Sequence, residues 1–449
     1  MEGYFFFMSS ITALHNPKTI NAWCMYDWAN SVYNLVITTT FFPIYFAGIT
    51  KSAYGEYSVP FLGRTFKNTS LYDYSLAFAY LSIAILLPIL SSIADSRGNK
   101  KKFMRFFCYL GAISCMSLFW FKGPQPNVLL GVGFFILAAI GFVGSLVFYN
   151  SYLPEIAEPE ERDWISARGF SMGYAGSVIL QLIGFGLVLY FSAQGDQTSG
   201  PRYTFLLVGL WWIGFAQITF AHLPNNKPPK TKRLKEVLQA GFAELKKVWD
   251  QIKHLPLLKW FLTAFFFYSM GVQTVMLAAT LFGSHVLGLP TEKLIITIVL
   301  IQLVAIPGSM LMSFLSGKLG NIRVLMGVVF FWILVCFSAY SVANLKEDGV
   351  NVEIYFYLLA LAVGLVMGGI QSLSRSTYSK LMPETKDTAS FFSFYDVTEK
   401  IAIVIGIFTF GYIDEIFGMK NSVLMLIVFF VLGFAGLMMA RYQELRTKI

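Results

Sequence analysis

A chain of 449 residues that is 56% hydrophobic, 17% aromatic and only 13% charged, with a mean hydropathy of +0.61, carries about half the charge of an ordinary soluble protein. These figures exclude a disordered chain, a collagen-like fibre and a disulfide-stapled secreted domain, and leave a polytopic membrane protein. The net charge of +9 reads as Lys and Arg gathered on loops facing one side of a bilayer, so no nucleic-acid partner is expected.

The N-terminal stretch MEGYFFFMSS is apolar but lacks a basic run and a cleavage site, so no signal peptide is expected. Apolar spans follow at 21–49, 71–94, 103–121, 128–152, 164–191, 203–223, 257–284, 291–316, 322–343, 352–374, 390–413 and 421–440. They are too long and continuous for barrel strands, which predicts an all-α membrane protein of twelve transmembrane helices. The eighth span is the weakest, because Gln302, Pro307 and Gly308 interrupt it. If both termini lie inside, 25 of the 34 Lys and Arg fall on the cytoplasmic side and eight outside, with Lys400 within a span. That asymmetry predicts cytoplasmic N- and C-termini and an inner-membrane location.

The longest loop divides the chain into a six-helix half at 1–223, a linker at 224–256 and a second half at 257–449. Within the linker, Val237, Leu238, Phe242, Leu245, Val248, Trp249 and Ile252 fall at helical spacing with lysines opposite, predicting a basic amphipathic helix at 234–253. Such a helix suits an anionic membrane surface, and tethering the two halves is its simplest role. Residues 91–99 (SSIADSRGN) are echoed 222 residues later by 313–321 (SFLSGKLGN). Pro159-Glu160 and Pro383-Glu384 repeat at an offset of 224. The agreement predicts two parallel six-helix repeats with a binding site near the midplane.

Three segments carry charge that the membrane must tolerate. In the first span Asp27, Asn30, Ser31, Asn34 and Thr38 recur at three- and four-residue steps, a polar stripe that must face a cavity or another helix. Asp27 is either a proton, cation or amine site or a structural hydrogen-bonding group. At the end of the second span, Asp95 sits where its own helix dipole disfavours it and needs a positive partner: Arg97, Lys100 or a neighbouring helix N-terminus. A charge lock there could hold one face of a transporter shut; alternatively the segment is a tight turn shaped by Gly98. In the eleventh span Asp396 and Lys400 have i,i+4 spacing with the acid first, which favours a pair and leaves Glu399 to Arg168, Arg375 or a proton. Asn150, Gln181, Gln273, Gln302, Gln371 and Arg375 are further polar groups within spans, while Gly169/Gly173 and Gly364/Gly368 have the spacing of close helix crossings. Cys24, Cys108, Cys115 and Cys336 read as small buried hydrophobes, and the four His do not cluster as metal ligands.

The 91–102 segment resembles the cytoplasmic signature of the major facilitator superfamily, G-x-x-x-D-x-x-G-R-[KR]; Asp95, Gly98 and Lys100 match it, while Ser91 and Asn99 depart from the usual Gly and Arg. Together, Tyr26-Asp-Trp-Ala-Asn-Ser-Val-Tyr33, Phe148-Tyr-Asn-Ser-Tyr-Leu-Pro-Glu155, Pro159-Glu-Glu-Arg162, Gly368-Gly-Ile-Gln-Ser-Leu-Ser-Arg-Ser376 and Phe391-Phe-Ser-Phe-Tyr395 resemble the autophagy-linked vacuolar effluxer-like family of that superfamily, in its compact bacterial form. The resemblance implies two six-helix halves of the major facilitator type, with Asp27, Asn34, Asn150, Gln273, Gln371 and Arg375 on or near a central cavity. It also implies that Asp95 touches the start of the eleventh helix near 388–391. The expected function is secondary active transport of a small polar metabolite by a monomer in the lipid bilayer, with amino-acid efflux the activity its fungal relatives suggest. The coupling ion is a proton, or sodium as the alternative. Asp27, Asn30, Asn34, Asn150, Gln273, Gln371, Arg375 and Glu399 are the candidate pathway, and Asp95, Arg97, Gly98 and Lys100 the candidate gate. No nucleotide-binding loop, nucleophile arrangement, cofactor motif or metal spacing argues for an enzyme. A transporter-fold sensor or scaffold is the competing class.

Overall fold

The computed structural model describes residues 16–225 and 245–447. The N-terminal stretch MEGYFFFMSS and the first part of the linker helix lie outside the described residues, as does the side chain of Arg97. Nearly everything described is helical, because a backbone in hydrocarbon must satisfy its own N–H and C=O groups. The helices are α1 (Pro17–Val32), α2 (Phe42–Tyr54), α3 (Asn68–Arg97), α4 (Lys100–Ser117), α5 (Val128–Asn150), α6 (Leu153–Ile156), α7 (Arg162–Ala193) and α8 (Ser199–His222). They continue with α9 (Pro256–Leu281), α10 (Thr291–Leu319), α11 (Asn321–Glu347), α12 (Glu353–Leu381), α13 (Thr388–Phe417) and α14 (Met419–Arg446). Eleven helical stretches among the described residues are long and apolar enough to cross a membrane. The remaining long helix, α13, has 30 residues and carries Asp396, Glu399 and Lys400 in its first half.

These residues form two units: 17–151 with 172–225, and 152–171 with 245–447. The border differs from the expected linker in one respect, since residues 152–171, including the first ten of α7, pack with the second unit.

In the first unit α1 and α2 form one continuous rod through a π-helical stretch at Tyr33–Phe41. Pro43 explains the widening: it has no N–H to bond the Thr39 carbonyl, and its ring would clash there in a regular α-helix. Side chains take up the displaced carbonyls. Thr39 and Thr40 hydroxyls donate to Leu35 O at 2.8 and 2.9 Å, and Tyr72 Oη donates to Thr38 O at 2.6 Å. A two-stranded hairpin, β1 (Val59–Phe61) and β2 (Arg64–Phe66), joins α2 to α3 through Leu62 and Gly63, both at positive φ. The hydropathy pattern does not predict it. Before α8, Asp196 Oδ1 accepts from Thr198 N and Oγ1 and from Ser199 N, and hydrogen bonding from the Ser199 side chain first, then from Thr198, holds its carboxyl below the usual carboxylate range.

In the second unit α10 packs tightly against α12. A Cβ built on Gly364 would lie 2.6 Å from Ile301 O, and one on Gly368 would run into Ala305 O, so the Gly364/Gly368 spacing has its expected role. Pro307 and Gly308 lie within α10, which continues through them. The described part of the linker is helical at 245–253. It buries Val248 and Ile252 and stacks Trp249 on Phe394 of α13, with ring centroids 5.9 Å apart. Its apolar stripe thus packs on protein. All four Cys are buried, and none of them forms a disulfide.

Candidate functional site

Each unit carries buried charge on its spanning helices. In the first unit Asp27 is 3% exposed, and its Oδ2 accepts a hydrogen bond from Tyr149 Oη at 2.8 Å. Tyr149 is fixed from two sides. Trp23 stacks on its ring at 4.4 Å, and Trp23 Nε1 donates to its carbonyl at 3.0 Å. The sequence pairs Asp27 with no partner; Tyr149, 122 residues away, supplies one. Asn30, one turn on, is 1% exposed, and neither amide atom has a hydrogen-bond partner among the described residues. A buried amide with both ends open is a place for water or ligand. Asn34 is half-buried inside the π-helical stretch, and Asn150 is buried at the end of α5. Ser31 lies against Gly173 of α7, where an added Cβ would meet its side chain.

In the second unit the acidic turn of α13 is wired differently from its i,i+4 spacing. Lys400 Nζ pairs with Glu399 Oε2 at 2.5 Å. Gln273 Nε2 of α9 donates to the other oxygen of Glu399 at 3.2 Å. The neighbouring helix places Glu399 where Lys400 reaches it, and the expected Asp396–Lys400 pair gives way to this one. Arg375 is 3% exposed and grips α7: its Nε donates to Ser166 Oγ and its Nη2 to Ser166 O, both at 2.9 Å, and it stacks 4.2 Å from the Phe170 ring. Gln371 is half-buried one turn before it. Tyr268 Oη and Ser374 Oγ are 2.7 Å apart. The expected pathway residues Gln273 and Glu399 therefore touch, while Asp27, Asn30, Asn34 and Asn150 belong to the other unit.

At the candidate gate, α3 ends at Arg97 with Gly98 in the left-handed region (φ 62°), its N–H donating to Ala94 O, as a C-cap glycine does. Lys100 Nζ lies 3.5 Å from Asp95 Oδ1, both side chains buried, so Lys100 is one of the positive partners that Asp95 requires.

Sequence reasoning missed a second charged cluster, around Asp163 in the first turn of α7, where the helix dipole favours an acid. Its Oδ2 accepts from Lys380 Nζ at 2.6 Å and Ser316 Oγ at 2.8 Å; its Oδ1 accepts from Asn321 Nδ2 at 2.7 Å. Arg162 beside it donates to the carbonyls of Ala157, Pro154 and Ser379. The repeat contained the signal. Gly317 stands 222 residues after Asp95, so the second copy of the turn lacks an acid that must come from elsewhere. Among the described residues no group of three His, Cys, Asp or Glu could hold a metal ion.

Residues 15–447 match the family model described as "Vacuole effluxer Atg22 like". The chain is 32% identical to a Bacillus subtilis protein named MFS-type transporter YxiO over 93% of both chains. It is 26% identical to autophagy-related protein 22 of Saccharomyces cerevisiae over 89% of this chain and 86% of that one. The structure superposes on the proton:xylose symporter XylE of the major facilitator superfamily with a TM-score of 0.67 and 14% identity, covering 95% of each chain. The fold is that of the major facilitator superfamily.

Proposed function

The chain belongs to the vacuole effluxer Atg22-like family, and on that premise we propose that it is a secondary active transporter moving a small polar metabolite by alternating access. Amino acids are the proposed substrate class, and efflux coupled to protons the proposed mode. Its place is the cell membrane, with both termini in the cytoplasm, as the Lys and Arg asymmetry argues. The transporting halves are 1–223 and 257–449, joined by 224–256.

One observation carries this reading: ionisable groups are kept in spanning helices of both units, Asp27 buried under Tyr149 and Glu399 half-buried between Lys400 and Gln273. An acid at the centre of a spanning helix costs about 2.5–3.5 kcal/mol on insertion scales, so spanning helices retain such groups for pairing or for use. Asp27 with Asn30 and Asn34 offers polar steps along α1, and Arg375 offers a cation for a substrate carboxylate. Asp95 and Lys100, turned by Gly98, form the proposed cytoplasmic gate, with Arg97 beside them in sequence. The test is counterflow of labelled amino acids in proteoliposomes. Exchange supports transport, whereas binding without exchange is the behaviour of a sensor.

A further inference from the structure

Asp396 lies on α13 one turn before Glu399 and is 2% exposed. Its Oδ2 is sealed from solvent and has no hydrogen-bond partner among the described residues. Lys400, the cation best spaced to serve it, is paired with Glu399 at 2.5 Å. Arg375 and Tyr378 of α12 act on it electrostatically. Arg375 is held by Ser166 and Phe170, and Tyr378 Oη donates to Phe391 O at 2.6 Å. On its own helix, Tyr395, Glu399 and Lys400 face it.

The other elements packed on α13 contribute little more. From α9, Tyr268 reaches the cluster through Tyr395, but its hydroxyl is engaged with Ser374. Between Lys420 and Arg441, α14 carries no titratable residue. On the helical stretch at 245–253, Lys247 pairs with Asp387 at 3.0 Å and Asp250 with Lys253 at 3.0 Å. Every other acid described in this part of α13 has its own cation. Among the described acids, Asp396 alone combines burial with an oxygen that no described residue bonds, and a charge in that position is far costlier than a neutral acid.

We propose that Asp396 is a proton-binding site of the carrier. A proton adds to Oδ2, forming an O–H bond there, and leaves to water when the site opens; Glu399 keeps its pair with Lys400. That this proton drives transport rests on the proton-coupled reading above.

The experiment separates the two ideas. The full chain is reconstituted in lipid and titrated with pH while infrared absorption is recorded, since a protonated carboxyl absorbs apart from a carboxylate. The expected result is a carbonyl band that titrates in the wild type, vanishes in Asp396→Asn and persists in Glu399→Gln. Asp396→Glu, which keeps the acid, should restore a titrating band at a shifted frequency, and it serves if the Asn variant folds poorly. A spectrum that titrates identically in wild type and Asp396→Asn would overturn the proposal. A labelled amino-acid mixture is then the probe in vesicles with an imposed pH gradient. If wild-type flux ignores the gradient while the band is present, the coupling reading fails and the site stands. If wild-type flux follows the gradient and Asp396→Asn follows it equally, the site has no part in coupling.

Discussion

Residues 91–99 and 313–321 are two copies of one turn, and each solves the same electrostatic problem differently. The first carries its own acid: Asp95 pairs with Lys100, five residues away, across a turn set by Gly98. The second has Gly317 in that place and receives an acid from α7, where Asp163 bonds Ser316, Asn321 and Lys380. A local pair links two consecutive helices. The assembled cluster links the ends of α10 and α12 and the starts of α7 and α11, and it ties the first part of α7 to the second unit.

The comparison predicts unequal sensitivity. Asp163→Ala should be the most damaging change, because it removes the carboxylate that Lys380, Ser316 and Asn321 share. Removing one partner of a buried pair costs about 3–5 kcal/mol, and Lys380, at 22% side-chain exposure, puts this case near the lower end. Denaturation of the purified protein in mixed micelles reads the loss; a change within error of wild type would show the cluster to be ornamental. Asp95→Asn should cost less, about 1–2 kcal/mol, since the amide keeps its size and hydrogen-bonding oxygen. It should nevertheless lower transport at near-normal expression, and unchanged transport retires the gate.

Moving the acid sharpens the contrast. Gly317 has open space around it, so Gly317→Asp is sterically tolerated. In an Asp163→Asn background it should return up to about 1 kcal/mol by giving the second turn an acid of its own, and alone it should destabilise by adding a second negative charge to a turn that Asp163 already serves. No recovery in the double variant would mean that position, and not merely charge, decides. The smallest effect is expected at Lys247→Ala. Its pair with Asp387 is exposed at 51% and 38%, and such pairs are worth about 0–1 kcal/mol.

The same contrast marks what the sequence makes legible. Spanning helices show in hydropathy, because each is a continuous local signal. Gly98 and Asp95–Lys100 show because the partners lie within one turn. Asp163 does not: its partners are 153 to 217 residues away and come together only when four helix ends meet. Tyr149 as the donor to Asp27 is hidden for the same reason. Glu399 shows how a distant residue overrides a local rule, since Gln273 of α9 holds it within reach of Lys400 and the i,i+4 spacing to Asp396 loses. The π-helical stretch of the first span is half legible: Pro43 marks a disturbance, but only the threonine and tyrosine hydroxyls that donate to the freed carbonyls determine its form.

The central claim is proton-coupled secondary transport, and flux of labelled amino acids from proteoliposomes under an imposed pH gradient tests it most directly. The account predicts flux that follows the gradient, collapses when a protonophore dissipates it, and loses that response when Asp396 is changed to Asn. Flux that is absent, or indifferent to the gradient across the amino acids tried, would contradict it.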